Sequence, residues 1–134
     1  MIVVDASVLV NAIADDGPDG DRSRARLGEA SSLHAPHLVD LEVLSVLRRR
    51  AASLDLDARR LVFCLEDLGD LPITRYPHLP FAERIWNLRH NLTPYDAAYV
   101  ALAETLECVM VTADASLSRA AGPTCTIELV RSPR

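Results

Sequence analysis

Four acidic residues, Asp5, Glu42, Asp96 and Asp114, carry the chemistry this sequence could perform. Asp96 and Asp114 bracket the stretch TPYDAAYVALAETLECVMVTAD. It reads as a helix opening at Thr93 with Pro94 at its first position, an apolar body from Ala97 to Leu106, and a short strand, CVMVT. Asp96 falls in the first helical turn, where backbone N–H groups lack intrahelical partners. Asp114 falls where the strand stops and the next helix starts, and Asp5 ends a strand and precedes a helix in the same way. Each of the three also has a structural reading. Asp5 and Asp114 suit helix N-caps, and Thr93-Pro94-Tyr95-Asp96 fits a capping box in which Asp96 reaches back toward the Thr93 N–H. Glu42 differs, because it has no helix end to serve. Its helical neighbours four residues either way are Leu38 and Val46, and a carboxylate on an apolar surface is costly unless something pairs with it.

The chain has no lysine to act as a buried counter-ion, and most of its arginines fall in clusters that read as exposed. If several carboxylates converge, two of them about 4 Å apart repel by roughly 4 kcal/mol at an effective dielectric near 20. A divalent cation is the simplest remedy. An all-oxygen site with no supporting His or Cys favours Mg²⁺ or Mn²⁺ over zinc.

The elements that must position these acids alternate between strand and helix. Ile2 to Asp5 is a β-branched run without polar alternation, as expected of a central parallel strand covered on both faces. A helix follows from about Ala6 to Ala14, then the loop DDGPDGD, a more polar helix from Asp21 to Ala30, and a strand from Ser31 to Ala35 closed by Pro36. From His37 to Ala52 the apolar residues cover nearly the whole circumference of a helix, which predicts burial within the domain. A helix from about Asp55 to Leu68 stops near Gly69. A strand from Pro72 to Tyr76 and an amphipathic helix from Pro80 to Asn91 lead into the Thr93–Asp114 unit. A short helix, a Gly122-Pro123 turn and a last strand, CTIELV, complete the chain. This order implies an α/β fold, a central parallel β-sheet flanked by helices on both faces. Ligands bind such sheets at the carboxyl ends of the strands, the edge where Asp5 and Asp114 should both lie.

At 134 residues the chain is expected to be one domain with a real core, and 49% hydrophobic residues set it apart from disordered sequences. Its 14 basic against 19 acidic side chains give a net charge of −5, which argues mildly against a nucleic-acid partner. Were four of those acids to gather around a metal, that objection would weaken. Acids at Asp5 and Asp15 interrupt the apolar N-terminus, so neither a signal peptide nor a membrane span is expected, and the location expected is cytoplasmic. Cys64, Cys108 and Cys125 are odd in number and lack metal-type spacing, and they read as buried thiols.

Four segments, IVVDASVLV, PHLVDLEVLSVLRR, LTPYDAAYVALAETL and VMVTADASL, resemble the signature segments of PIN-domain ribonucleases, in particular VapC-type toxins of bacterial toxin–antitoxin modules. The resemblance runs from Met1 to Val130 in the family's order, and implies a single PIN domain over residues 1–134. Carried over residue by residue, it makes Asp5, Glu42, Asp96 and Asp114 an acidic quartet. Asp5 and Asp96 would be the principal metal ligands, with Asp114 sharing the metal directly or through water. Glu42 would complete the site and help to hold or deprotonate the attacking water; it matches the family position better than the competing Asp40. Ser7 and Thr112 match small hydroxyl positions beside the quartet. The resemblance further implies Mg²⁺ or Mn²⁺, an RNA substrate cut to 5′-phosphate and 3′-hydroxyl ends, a homodimer, and a cognate antitoxin whose tail blocks the acidic site.

Other residues read more plainly. Arg48, Arg49 and Arg50 close the Glu42 helix, where the helix dipole favours cations, so a solvated face is expected, although with Arg22, Arg24, Arg26, Arg84 and Arg89 they could track an RNA backbone. His34, His37, His78 and His90 share no ligand spacing. Trp86 and Phe81 read as core or subunit interface. Of Tyr95 and Tyr99, one should pack inside and the other line the approach to the site. Two rivals to a toxin are a PIN-fold nuclease in housekeeping RNA processing and a Mg²⁺-binding receiver module; the receiver needs a lysine, and none is present.

Overall fold

The computed structural model describes residues 1–53 and 55–133, so Leu54 and Arg134 of the expected 1–134 unit lie outside it. Five strands form one wholly parallel sheet, β1 (Ile2–Val4), β2 (Leu33–Pro36), β3 (Ile73–Tyr76), β4 (Val109–Thr112) and β5 (Ile127–Leu129), in the order β3-β2-β1-β4-β5. The short all-apolar β1 is buried throughout because it has a neighbour on each side, Ile2 facing Leu33 of β2 and Val109 of β4. The chain winds outward from β1 through β2 to β3, then returns to the other side of β1 for β4 and β5. That reversal makes the carboxyl ends of β1 and β4 the switch point, where a crevice opens in sheets of this type.

Among the described residues seven α-helices, α1 (Ala6–Ala14), α2 (Pro18–Glu29), α3 (Leu38–Ala52), α4 (Ala58–Asp70), α5 (Ala82–Asn87), α6 (Pro94–Leu106) and α7 (Ala115–Ser118), cover the sheet on both faces. Helix α6 packs on β1, β2 and β4 with α5 outside it, while α1 gathers α2, α3 and α4 into the other layer. Each helix that precedes a parallel strand runs antiparallel to it, so the N-terminus of α6 stands at the same sheet edge as the ends of β1 and β4. Helix α3 begins at that edge too, directly after β2. Among the described residues, no helix is long and apolar enough to cross a membrane.

The elements depart from expectation in five places. Helix α4 starts at Ala58 and not Asp55, because the Asp57 side chain caps it by accepting from the Arg60 N–H, and it runs through Gly69 to Asp70. Helix α2 begins at Pro18, three residues before the expected Asp21, with Gly17 as N-cap; Pro18 supplies a preset φ and no orphaned N–H. The expected helix from Pro80 to Asn91 is a 3-10 turn at Leu79–Phe81 followed by α5, which ends at Asn87 with the Leu88 N–H shared among the carbonyls of Arg84, Ile85 and Trp86. Helix α3 is not buried all round. Val39, Val43 and Leu47 face the core, whereas Leu41 is 71% and Leu44 40% exposed. Of the three thiols, Cys64 is buried as expected, but Cys108 and Cys125 are half-buried.

Candidate active site

Asp5 caps α1, its Oδ1 accepting from the Val8 N–H at 3.3 Å and from the Ser7 hydroxyl at 2.6 Å. The Thr112 hydroxyl at the end of β4 donates to Asp5 Oδ2 at 2.5 Å, while its own oxygen accepts from the Asp114 N–H at 3.0 Å. Ser7 Oγ accepts from the Ala113 N–H at 2.9 Å. The two small hydroxyls therefore lace the ends of β1 and β4 together and fix the Asp5 carboxylate, which is only 7% exposed. Asp114 caps α7 and accepts from both the N–H and the hydroxyl of Ser116.

Asp96 sits in the first turn of α6 as expected, but the observed cap is the Thr93 hydroxyl accepting from the Asp96 N–H at 3.2 Å. Glu42 lies in the second turn of α3. Its carboxylate is paired by a group that charge counting could not find: the Tyr99 hydroxyl, on a side chain 1% exposed, donates to Glu42 Oε1 at 2.5 Å. Tyr95 is 63% exposed, so Tyr99 packs inside and Tyr95 outside. Asp40, the competing acid, is engaged elsewhere, in a two-point ion pair with Arg75 of β3 at 2.6 and 2.8 Å.

All four expected acids line one cavity of about 350 Å³, together with Ser7, Tyr99 and three residues of α3, Ser45, Val46 and Arg49. Ser45 is the polar lining residue that sequence reading passed over, and Arg49, expected on a solvated face or along an RNA backbone, lines the cavity itself. The signal was present, because positions 42, 45, 46 and 49 form one helical stripe. Burial pushes the carboxyl of Asp5 upward against the hydroxyl and N–H bonds from Ser7, Thr112 and Val8, and Asp96 adds repulsion. Glu42 is pushed up by burial, opposed by the Tyr99 hydrogen bond and reinforced by Asp96 and Asp5. Asp96 is pushed up by burial and by Asp114. Asp114 alone is held down, chiefly by the Ser116 hydroxyl.

The donors are all hard oxygens, suited to Mg²⁺ or Mn²⁺ and not to a soft metal. Among the described residues, no three acidic, His or Cys side chains are gathered tightly enough to enclose an ion. The four acids thus share one cavity and feel one another's charge without closing on a single point.

A switch-point cavity of four carboxylates on a parallel sheet in the order 3-2-1-4-5 defines an α/β protein built to manage concentrated negative charge. The chain belongs to the PIN-domain family, whose profile matches residues 2–123. Within it, the chain is closely related to the mycobacterial VapC toxins of toxin–antitoxin systems. It is 46% identical over 130 residues to Ribonuclease VapC9 of Mycobacterium tuberculosis, covering 97% of this chain and 98% of that protein. It is 44% identical over 130 residues to Ribonuclease VapC1 of the same organism, covering 96% and 97%. The crystal structure of Mycobacterium tuberculosis VapC20, a Sarcin-Ricin loop cleaving toxin, superposes with a TM-score of 0.69 at 16% identity over 88% of this chain and 93% of that one, a likeness of fold.

Proposed function

We propose that this protein is a metal-dependent endoribonuclease, the toxin of a VapBC-type pair acting in the cytoplasm. The observation that carries the reading is the convergence of Asp5, Glu42, Asp96 and Asp114 on one cavity at the switch point, in a chain 46% identical to a ribonuclease. Asp5, Asp96 and Asp114 would hold Mg²⁺ or Mn²⁺. When bound, such an ion acidifies a coordinated water, neutralises phosphate charge and stabilises the leaving oxygen.

The chain's own residues supply orientation and proton transfer. Ser7 and Thr112 hold Asp5 in one rotamer, and Tyr99 holds one oxygen of Glu42, leaving that carboxylate to orient the attacking water and take its proton. The water oxygen bonds to phosphorus, the bond from phosphorus to the 3′ oxygen breaks, and that oxygen takes up a proton. The products are a 5′-phosphate and a 3′-hydroxyl end. A cognate antitoxin with a cationic tail suits the acidic cavity on charge grounds, and a homodimer completes the proposed assembly.

The test is cleavage of total RNA by the purified protein with Mg²⁺ or Mn²⁺, beside EDTA and the Asp96→Asn variant, with the ends of the products mapped. Cutting is expected only with the metal and Asp96 both present. Equal cutting by the Asn variant, or none by folded protein with either metal, would reduce the quartet to a set of helix caps.

A further inference from the structure

An anionic strand approaching four carboxylates needs a fixed cation at the cavity wall, and the described lining residues supply one, Arg49. It lies two helical turns beyond Glu42 on the same stripe of α3. Its guanidinium donates to Ser45 Oγ at 3.2 Å, one turn back along that stripe. Among the described residues it makes no ion pair, unlike Arg24, Arg26, Arg60, Arg75 and Arg84, each of which is matched to a carboxylate. It is exposed, so its remaining donors face solvent beside the cavity mouth. The adjacent acids therefore do not consume it, and Ser45 sets its direction.

We propose that Arg49 is a positioning residue that grips an RNA phosphate next to the scissile one; this rests on the nuclease reading above. The scissile phosphate itself belongs with the carboxylates and their ion. Seven residues of helix place the Cα of Arg49 about 10 Å along the axis from that of Glu42, and its guanidinium turns back toward Ser45 on the wall of the same cavity, which suits a phosphate beside the scissile one. A planar guanidinium with several free N–H donors recognises phosphate oxygens in a fixed geometry, which a flexible ammonium does not reproduce.

The experiment compares the parent with Arg49→Ala, Arg49→Lys and, as a charge-matched control away from the cavity, Arg59→Ala. Steady-state cleavage of a labelled single-stranded RNA is measured in Mg²⁺, and binding of the same RNA by anisotropy is measured across a salt series in an Asp96→Asn background. Arg49→Ala is expected to raise KM and Kd about tenfold, the loss of one charge-assisted contact, while kcat changes less than about twofold. The slope of log Kd against log salt should flatten by about 0.7, the value for one phosphate contact on a single strand. Arg49→Lys should recover the slope but only part of the affinity, and Arg59→Ala should match the parent. A merely structural Arg49 would leave the salt slope untouched. An unchanged slope and Kd in Arg49→Ala, or an equal loss in Arg59→Ala, would overturn the assignment while leaving the nuclease reading intact. A parent protein that neither cuts nor binds the RNA would overturn both.

Discussion

Two acids two residues apart, Asp40 and Glu42, show how much a neighbour decides. Asp40 meets Arg75 across to β3 and ties α3 to the sheet, so its role is mechanical. Among the described residues Glu42 has no ion pair and is held by a phenol, which leaves its charge available to chemistry. Asp40→Ala should therefore keep metal-dependent cutting while lowering stability by about 1 kcal/mol, discounted for the partial exposure of the pair, as read from the urea midpoint. Glu42→Gln should do the reverse, abolishing cutting at unchanged or higher stability. The same logic sets a pH dependence. Burial, with charge repulsion, raises the carboxyls of Asp5, Glu42 and Asp96 in the folded chain, so these groups stabilise the metal-free fold most below the ordinary carboxylate range. That contribution is lost as pH rises through the raised values. In EDTA at neutral pH, Asp96→Asn should melt above the parent, and the gap should close as pH falls toward about 4. A constant gap across that range would show that something other than the Asp96 charge is responsible. Tyr99→Phe removes a hydrogen bond that favours the ionised form of Glu42, so the acidic limb of the cleavage profile should move to higher pH.

At the scale of elements, the contact between α1 and α2 depends on one glycine. A Cβ at Gly20 would stand 1.8 Å from the backbone oxygen of Asp15, so Gly20→Ala must push the two helices apart. The expected cost is about 1–3 kcal/mol or more in thermal or urea unfolding, and a stability equal to the parent's would contradict the packing described here. Strand ends and caps were the legible part of the sequence, since Asp5 and Asp114 sit where a short apolar run gives way to a helix, and local chemistry fixes both. The exposed flank of α3 was not legible. A helix with Leu41 and Leu44 beside Val39, Val43 and Leu47 looks apolar all round, and one sequence cannot distinguish burial in its own core from an apolar face left outside it. The start of α2 was readable but hidden, because Gly17-Pro18 signals both a turn and a helix N-terminus. Tyr99 as the partner of Glu42 was out of reach, since 57 residues separate the two and only the packing of α6 near α3 brings them together. Arg49 was named with Arg48 and Arg50, and only the Glu42 stripe separates it from those two neighbours.

For the molecule as a whole, the described residues leave large apolar side chains in water, among them Leu41, Leu44 and Phe63, and Leu79, Trp86 and Tyr95 line one groove. The homodimer proposed above would gain by covering them. Sedimentation at micromolar concentration should give a dimer, and Trp86→Glu should shift it toward monomer; a parent that sediments as a monomer would remove this part of the proposal. The lacing of Ser7, Asp5, Thr112 and Asp114 has a further consequence for this body. Asp5 directly follows β1 and Asp114 lies two residues past β4, neighbouring strands about 4.8 Å apart, and the Thr112 hydroxyl bonds to both acids. That half of the cavity is referenced to the sheet through one shared hydroxyl at the end of β4. Glu42 and Asp96 ride on α3 and α6, two helices joined by the Tyr99–Glu42 hydrogen bond. The cavity thus has two jaws of different make, one stitched to strand ends by hydroxyls and one carried on helices that a phenol joins.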